Sequence, residues 1–80
     1  MQSLQSSTQP AVCPQELEPG DKGQNVKYLQ QRLNSFGYSL NIDGIFGAKT
    51  QAAVKSFQTR HQLSADGIVG PKTWHALGVC

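Results

Sequence analysis

"DGIFGAKTQAAV" occupies residues 43–54 and "DGIVGPKTWHAL" occupies residues 66–77 of the 80-residue chain. Seven of the twelve positions are identical: Asp, Gly, Ile, Gly, Lys, Thr and Ala. A phrase written twice is either chemistry or architecture, and its parts decide which. Asp-Gly is a turn signal, with Gly44 and Gly67 able to take a positive φ at no steric cost. After the second turn, Pro71 suits the first position of a helix, where its missing N–H is no loss, and Gly70 suits the N-cap. Gly47 and Ala48 stand in the same places in the first copy. The phrase therefore reads as a turn, an apolar pair and a helix start. Ring sizes compensate between copies: Phe46 accompanies Gln51, Val69 accompanies Trp74, and residues 69 and 74 have the spacing of a hydrophobic staple.

A calcium loop is the competing reading, since tandem Asp-containing loops also occur in dockerin and EF-hand proteins. An EF-hand needs oxygen ligands at positions 1, 3 and 5, Gly at 6 and a bidentate Glu at 12. With Gly44 at the sixth place the ligands would be Ser39, Asn41, Asp43 and Thr50; with Gly67 there, Gln62, Ser64, Asp66 and Thr73. Each loop holds one carboxylate and no Glu, which argues against calcium.

Outward from the repeat, "NVKYLQQRLNSFGY" sets Val26, Leu29, Leu33 and Phe36 on one helical stripe, with Lys27, Gln30, Gln31, Arg32 and Asn34 on other faces. Asp21 and Gln24 stand three apart, a pair able to cap its start, and Gly37 falls where a left-handed C′ residue is wanted. A second helix is expected from Ala48 to about His61, with Ala53, Val54, Phe57 and His61 facing inward. A third, shorter one starts at Pro71 and carries Trp74 and Leu77. The stretches between them alternate over too few residues for a sheet. The expected fold is an all-α, small three-helix bundle with two Asp-Gly turn-to-helix repeats, over residues 20–80. Residues 1–19, rich in Gln, Ser and Pro, read as a disordered tail or linker.

A chain of this size builds one small domain with a modest core. Its net charge of +2 and scattered lysines give no electrostatic footprint for nucleic acid. No apolar run approaches the roughly 20 residues that span a bilayer. "MQSLQSSTQP" lacks both the basic start and the apolar stretch of a signal peptide. Cys13 and Cys80 flank nearly everything that reads as folded. A disulfide between them would add about 4 kcal/mol by chain entropy and implies an oxidising compartment. Two unpaired thiols are the alternative. A zinc site from Cys13, His61, His75 and Cys80 lacks the two close ligand pairs such sites carry, so no metal or cofactor is expected.

"GDKGQNVKYLQQRLNSFGY", "DGIFGAKTQAAVKSFQTRHQL" and "DGIVGPKTWHALG" in succession resemble the peptidoglycan-binding domain family, three-helix modules appended to bacterial cell-wall enzymes. The match covers roughly Gly20 to Gly78. The resemblance implies a non-catalytic module that anchors an attached hydrolase, amidase, carboxypeptidase or transpeptidase to peptidoglycan, at a secreted, periplasmic or cell-wall location. The alternative is a docking module that orients a neighbouring catalytic domain without touching glycan. A related domain is the inhibitory propeptide of animal matrix metalloproteases, but "LGVC" replaces the Pro-Arg-Cys-Gly context that blocks zinc.

Peptidoglycan offers acetamides, hydroxyls, peptide amides and carboxylates. Gln30, Tyr38, Asp43, Phe46, Arg60 and Asp66 are the candidate ligand contacts, expected where the Asp-Gly turns meet the helix ends. Each has a structural alternative. Asp43 and Asp66 can serve their own turns, Phe46 and Trp74 can be core, and Gln30 and Arg60 can be solvated helix residues. No Ser or Cys nucleophile stands in a recognisable set with His and a carboxylate, so the chain is not expected to be an enzyme. Nothing in the sequence suggests more than a monomer.

Overall fold

The computed structural model describes residues 12–80; the expectations made for residues 1–11 lie outside them. The chain order is α1 (Gln24–Ser35), α2 (Ala48–Arg60) and α3 (Pro71–Ala76), with two isolated antiparallel bridges, Leu17 to Val69 and Lys22 to Ile45. The all-α reading holds among the described residues.

α1 buries Val26, Leu29, Gln30 and Leu33. Its last turn closes on Gly37, whose φ of 101° lets its N–H reach the Asn34 carbonyl at 3.0 Å and the Tyr38 N–H reach that of Leu33 at 3.3 Å. The expected cap is corrected: Gly23 is the N-cap, with no side-chain cap bond, and Asp21 instead accepts from the Glu18 N–H at 3.0 Å. Phe36 departs from the buried stripe, being 40% exposed, and lies edge-on to Phe57 with ring centroids 5.1 Å apart. It has left the helix by one residue, so its ring covers the end of the bundle.

α2 buries Thr50, Ala53, Val54, Phe57 and Gln58. His61, expected inside, is the exposed C-cap residue. Its Nδ1 lies 3.0 Å from the Phe57 carbonyl and its ring 4.0 Å from the Phe57 ring. α3 starts as the phrase implies, with Gly70 at the N-cap and Pro71 next. Val69, Trp74 and Leu77 are wholly buried, which fits the staple. α1 and α3 are tied by the Tyr28 and Trp74 rings, stacked at 6.1 Å, and by Arg32, which donates Nη2 to the Leu77 carbonyl at 2.8 Å.

Order begins before Gly20, which corrects the boundary read from composition. Leu17 is buried in the core, exchanging backbone hydrogen bonds with Val69 at 3.1 and 2.8 Å. The Trp74 indole donates to the Gln15 carbonyl at 3.2 Å, and Cys13 is bonded to Cys80 across 67 positions. The Leu17 side chain, these hydrogen bonds and the disulfide hold this polar segment on the bundle.

Candidate functional site

The two Asp-Gly turns are built by one arrangement used twice, centred on a glutamine of the preceding helix. Gln30 is 1% exposed, and its Nε2 donates towards Asp43 Oδ1 at 3.0 Å, the Ile45 carbonyl at 3.1 Å and Thr50 Oγ1 at 3.1 Å. Its Oε1 accepts from the Gly44 N–H at 3.0 Å. Gln58, also 1% exposed, repeats this with Asp66 Oδ1 at 3.0 Å, the Ile68 carbonyl at 2.9 Å, Thr73 Oγ1 at 3.1 Å and the Gly67 N–H at 3.0 Å. Three acceptors face one end of each amide and one donor faces the other, which fixes its orientation. A buried amide satisfied at both ends stabilises its surroundings strongly because every partner would otherwise be left unpaired.

Gly44 and Gly67 have φ of 75° and 76°, the left-handed conformation the turn requires. Space is short as well: a Cβ at Gly44 would meet the Gly23 carbonyl oxygen and the Lys27 stem at 3.2 Å, and one at Gly67 would meet the Lys55 stem at 3.1 Å. Behind each glycine the apolar pair turns inward, so Phe46 and Val69 are buried.

Above this framework Asp43 and Asp66 are exposed. The Ile45 N–H (3.0 Å), followed by the Gln30 amide, holds the Asp43 carboxyl below its usual range. For Asp66 the Ile68 N–H (2.9 Å) acts likewise, with slight burial opposing it and the Gln58 amide assisting. These bonds use Oδ1; Oδ2 of either residue has no hydrogen-bond partner among the described residues. The turns thus present two fixed, fully ionised carboxylates, each with one free oxygen.

Two of the six candidate contacts change role. Gln30 is saturated inside the fold, so it shapes the first turn rather than touching a ligand. Phe46 is 1% exposed and belongs to the core, out of reach of a sugar ring. Tyr38 and Arg60 come together, the guanidinium 6.0 Å above the ring centroid and the Tyr38 hydroxyl 3.1 Å from Ser56 Oγ. Asp43 and Asp66 remain accessible. Gln58 was missed, as were the roles of Thr50 and Thr73. A signal existed: "VKYLQQR" at 26–32 and "VKSFQTR" at 54–60 share Val, Lys, Gln and Arg, so the duplication includes the helix before each turn. Beside the second turn lies a groove of about 580 Å³, lined in part by Gln62, Ser64, Asp66, Ile68 and Lys72. No group of three His, Cys, Asp or Glu residues is placed to hold a metal among the described residues.

Residues 22–77 match the family described as "Putative peptidoglycan binding domain", and the chain belongs to that family. It is 44% identical over 64 residues to the zinc D-Ala-D-Ala carboxypeptidase of Streptomyces albus G, covering 76% of this chain and 25% of that protein. The endolysin of Burkholderia AP3 phage superposes with a TM-score of 0.78 at 51% identity, over 79% of this chain and 24% of the endolysin. A peptidoglycan-binding protein from Clostridioides difficile superposes with a TM-score of 0.78 at 48% identity, over 80% of this chain and 40% of that one. The chain spans about half or less of the length of the curated relatives it matches first. The three-helix fold expected from the sequence is therefore also the fold of known relatives.

Proposed function

We propose that this chain binds peptidoglycan through its two Asp-Gly turns and thereby keeps an attached wall enzyme at its substrate. The observation that carries the reading is the pair of exposed, ionised carboxylates, each fixed by a buried glutamine. Such preorganisation lowers the ordering cost of binding. Asp43, Asp66, Tyr38 and Arg60 make the contacts, while Gln30, Gln58 and Phe46 support them from beneath. Peptidoglycan-directed relatives such as the D-Ala-D-Ala carboxypeptidase, matched over a quarter of its length, support the attachment to a catalytic domain.

The module itself performs no catalysis. Both cysteines are committed to the disulfide, and Asp43 and Asp66 are held ionised in their turns rather than poised to exchange protons. The disulfide fits an extracytoplasmic setting at the wall. Purified, insoluble murein sacculi provide the test. The folded chain sediments with them at low salt and is released by soluble muropeptides. A folded chain that stays in the supernatant would overturn wall binding and favour docking onto a neighbouring protein domain.

A further inference from the structure

We propose that the groove beside the second Asp-Gly turn holds the peptide of the wall polymer, not its glycan strand. Its ligand is a short peptide bearing both a free ammonium group and a carboxylate. This rests on the peptidoglycan-binding reading and specifies the part of the polymer that is held.

The groove, about 580 Å³, has a volume that suits a ligand of a few residues. Its charges are mixed. Asp66, Glu16 and Lys72, two acidic residues and one basic, all line it. Glu16 is located by its Oε1, 3.9 Å from where a Cβ at Gly70 would stand. A charged peptide complements that set; neutral sugar rings do not. No aromatic residue lines the groove, and Trp74, the ring within the repeated phrase, is wholly buried. A glycan would find no aromatic ring to stack on there.

Gln62 adds an independent observation. It has φ 60°, a left-handed backbone on a non-glycine residue. α1 and α2 end with the same closing bonds, Gly37 to Asn34 at 3.0 Å and Gln62 to Thr59 at 3.1 Å, yet α1 uses glycine there. Glutamine at such a position carries a conformational cost that glycine avoids. What the side chain supplies is an amide on the groove wall, able to donate to and accept from a peptide bond. Next to it, Ser64 also lines the groove, and its N–H has no backbone acceptor among the described residues.

The experiment is an NMR titration of the whole 80-residue chain, run beside the sacculus assay. The probes are a synthetic stem peptide with a free side-chain amine and C-terminal carboxylate, its N-acetylated form, and peptide-free glycan strands from amidase-digested sacculi. The stem peptide is expected to shift Gln62, Ser64, Asp66 and Lys72, and acetylation to weaken it about tenfold, as loss of one charge-assisted hydrogen bond would. Gln62→Gly relieves the backbone, so this variant folds at least as stably yet binds the peptide less tightly. Lys72→Glu weakens it further. Shifts in the groove with glycan but not peptide overturn the proposal, as does unchanged peptide affinity in Gln62→Gly. Retention on sacculi with all ligand-induced shifts elsewhere, around Asp43 and Tyr38, sinks the groove and leaves wall binding intact. Loss of retention itself removes the reading beneath it.

Discussion

The first and second Asp-Gly turns are the same device in different surroundings. Both hang from a buried glutamine amide, with an aspartate, two backbone groups and a threonine as its partners. In the first copy thirteen positions separate Gln30 from Asp43, and the long connection is pinned by Asn34, whose side chain accepts from the Leu40 N–H at 2.8 Å and donates to its carbonyl at 2.9 Å. In the second only eight positions separate Gln58 from Asp66. There Gln62 and the short segment after it border the groove. The repeat keeps the scaffold, and the connections differ: one closes on itself, the other borders a groove.

The strongest way to break this comparison is to reverse the amide in each copy. Gln30→Glu and Gln58→Glu set a carboxylate against an aspartate and a backbone carbonyl to which the amide had been donating. Leaving a buried charge uncompensated costs about 3–5 kcal/mol, a large part of a small domain's stability. Denaturant unfolding followed by circular dichroism should show both variants losing that much, and by similar amounts. A loss below about 1 kcal/mol in either would mean that copy does not depend on its glutamine.

These glutamines also mark the limit of what the sequence reveals. Apolar periodicity located α1 and α2, and Gly70-Pro71 located the start of α3, because helix stripes and caps are local signals. Gln30 and Gln58 sit on the core side of their helices, where a polar residue reads as an interruption of the stripe. Their meaning depends on turns thirteen and eight residues away, which no local pattern contains. Leu17 escaped for a similar reason: a single apolar residue among Gln, Glu and Pro has no period, and its partner Val69 is distant in sequence. Asp43 and Asp66 were legible because the turn and the carboxylate share a dipeptide. Phe46 was legible both as a core residue and as a possible ligand contact, and its burial, with its neighbour Ile45 left 47% exposed, decides for the core.

A smaller effect sharpens the difference between copies. Gly44→Ala and Gly67→Ala both place a side chain at a left-handed φ, costing about 1–2 kcal/mol. At Gly67 the new methyl meets the flexible ends of Lys55 and Gln51. At Gly44 it also meets the backbone oxygen of Gly23 at 3.2 Å, which cannot move without shifting the start of α1. Gly44→Ala should therefore have the lower thermal midpoint of the two. Equal midpoints would show that the first copy is as free to adjust as the second.

The smallest effect is in acid. Asp43 and Asp66 are both held below the ordinary carboxylate range in the folded chain, Asp43 by the Ile45 N–H and then Gln30, Asp66 by the Ile68 N–H with burial working against it. A depressed folded pKa adds stability that is fully present above the unfolded value of about 3.9 and is lost as pH falls through the folded one. The denaturation midpoint should thus be flat near neutrality and fall below about pH 4. Asn at either position keeps the Oδ1 acceptor but no longer titrates. Asp43→Asn and Asp66→Asn should each flatten the acid limb, because each removes a carboxylate that the fold holds below its usual range. If the double variant keeps the parent's full acid limb, the turns are not where the chain senses acid.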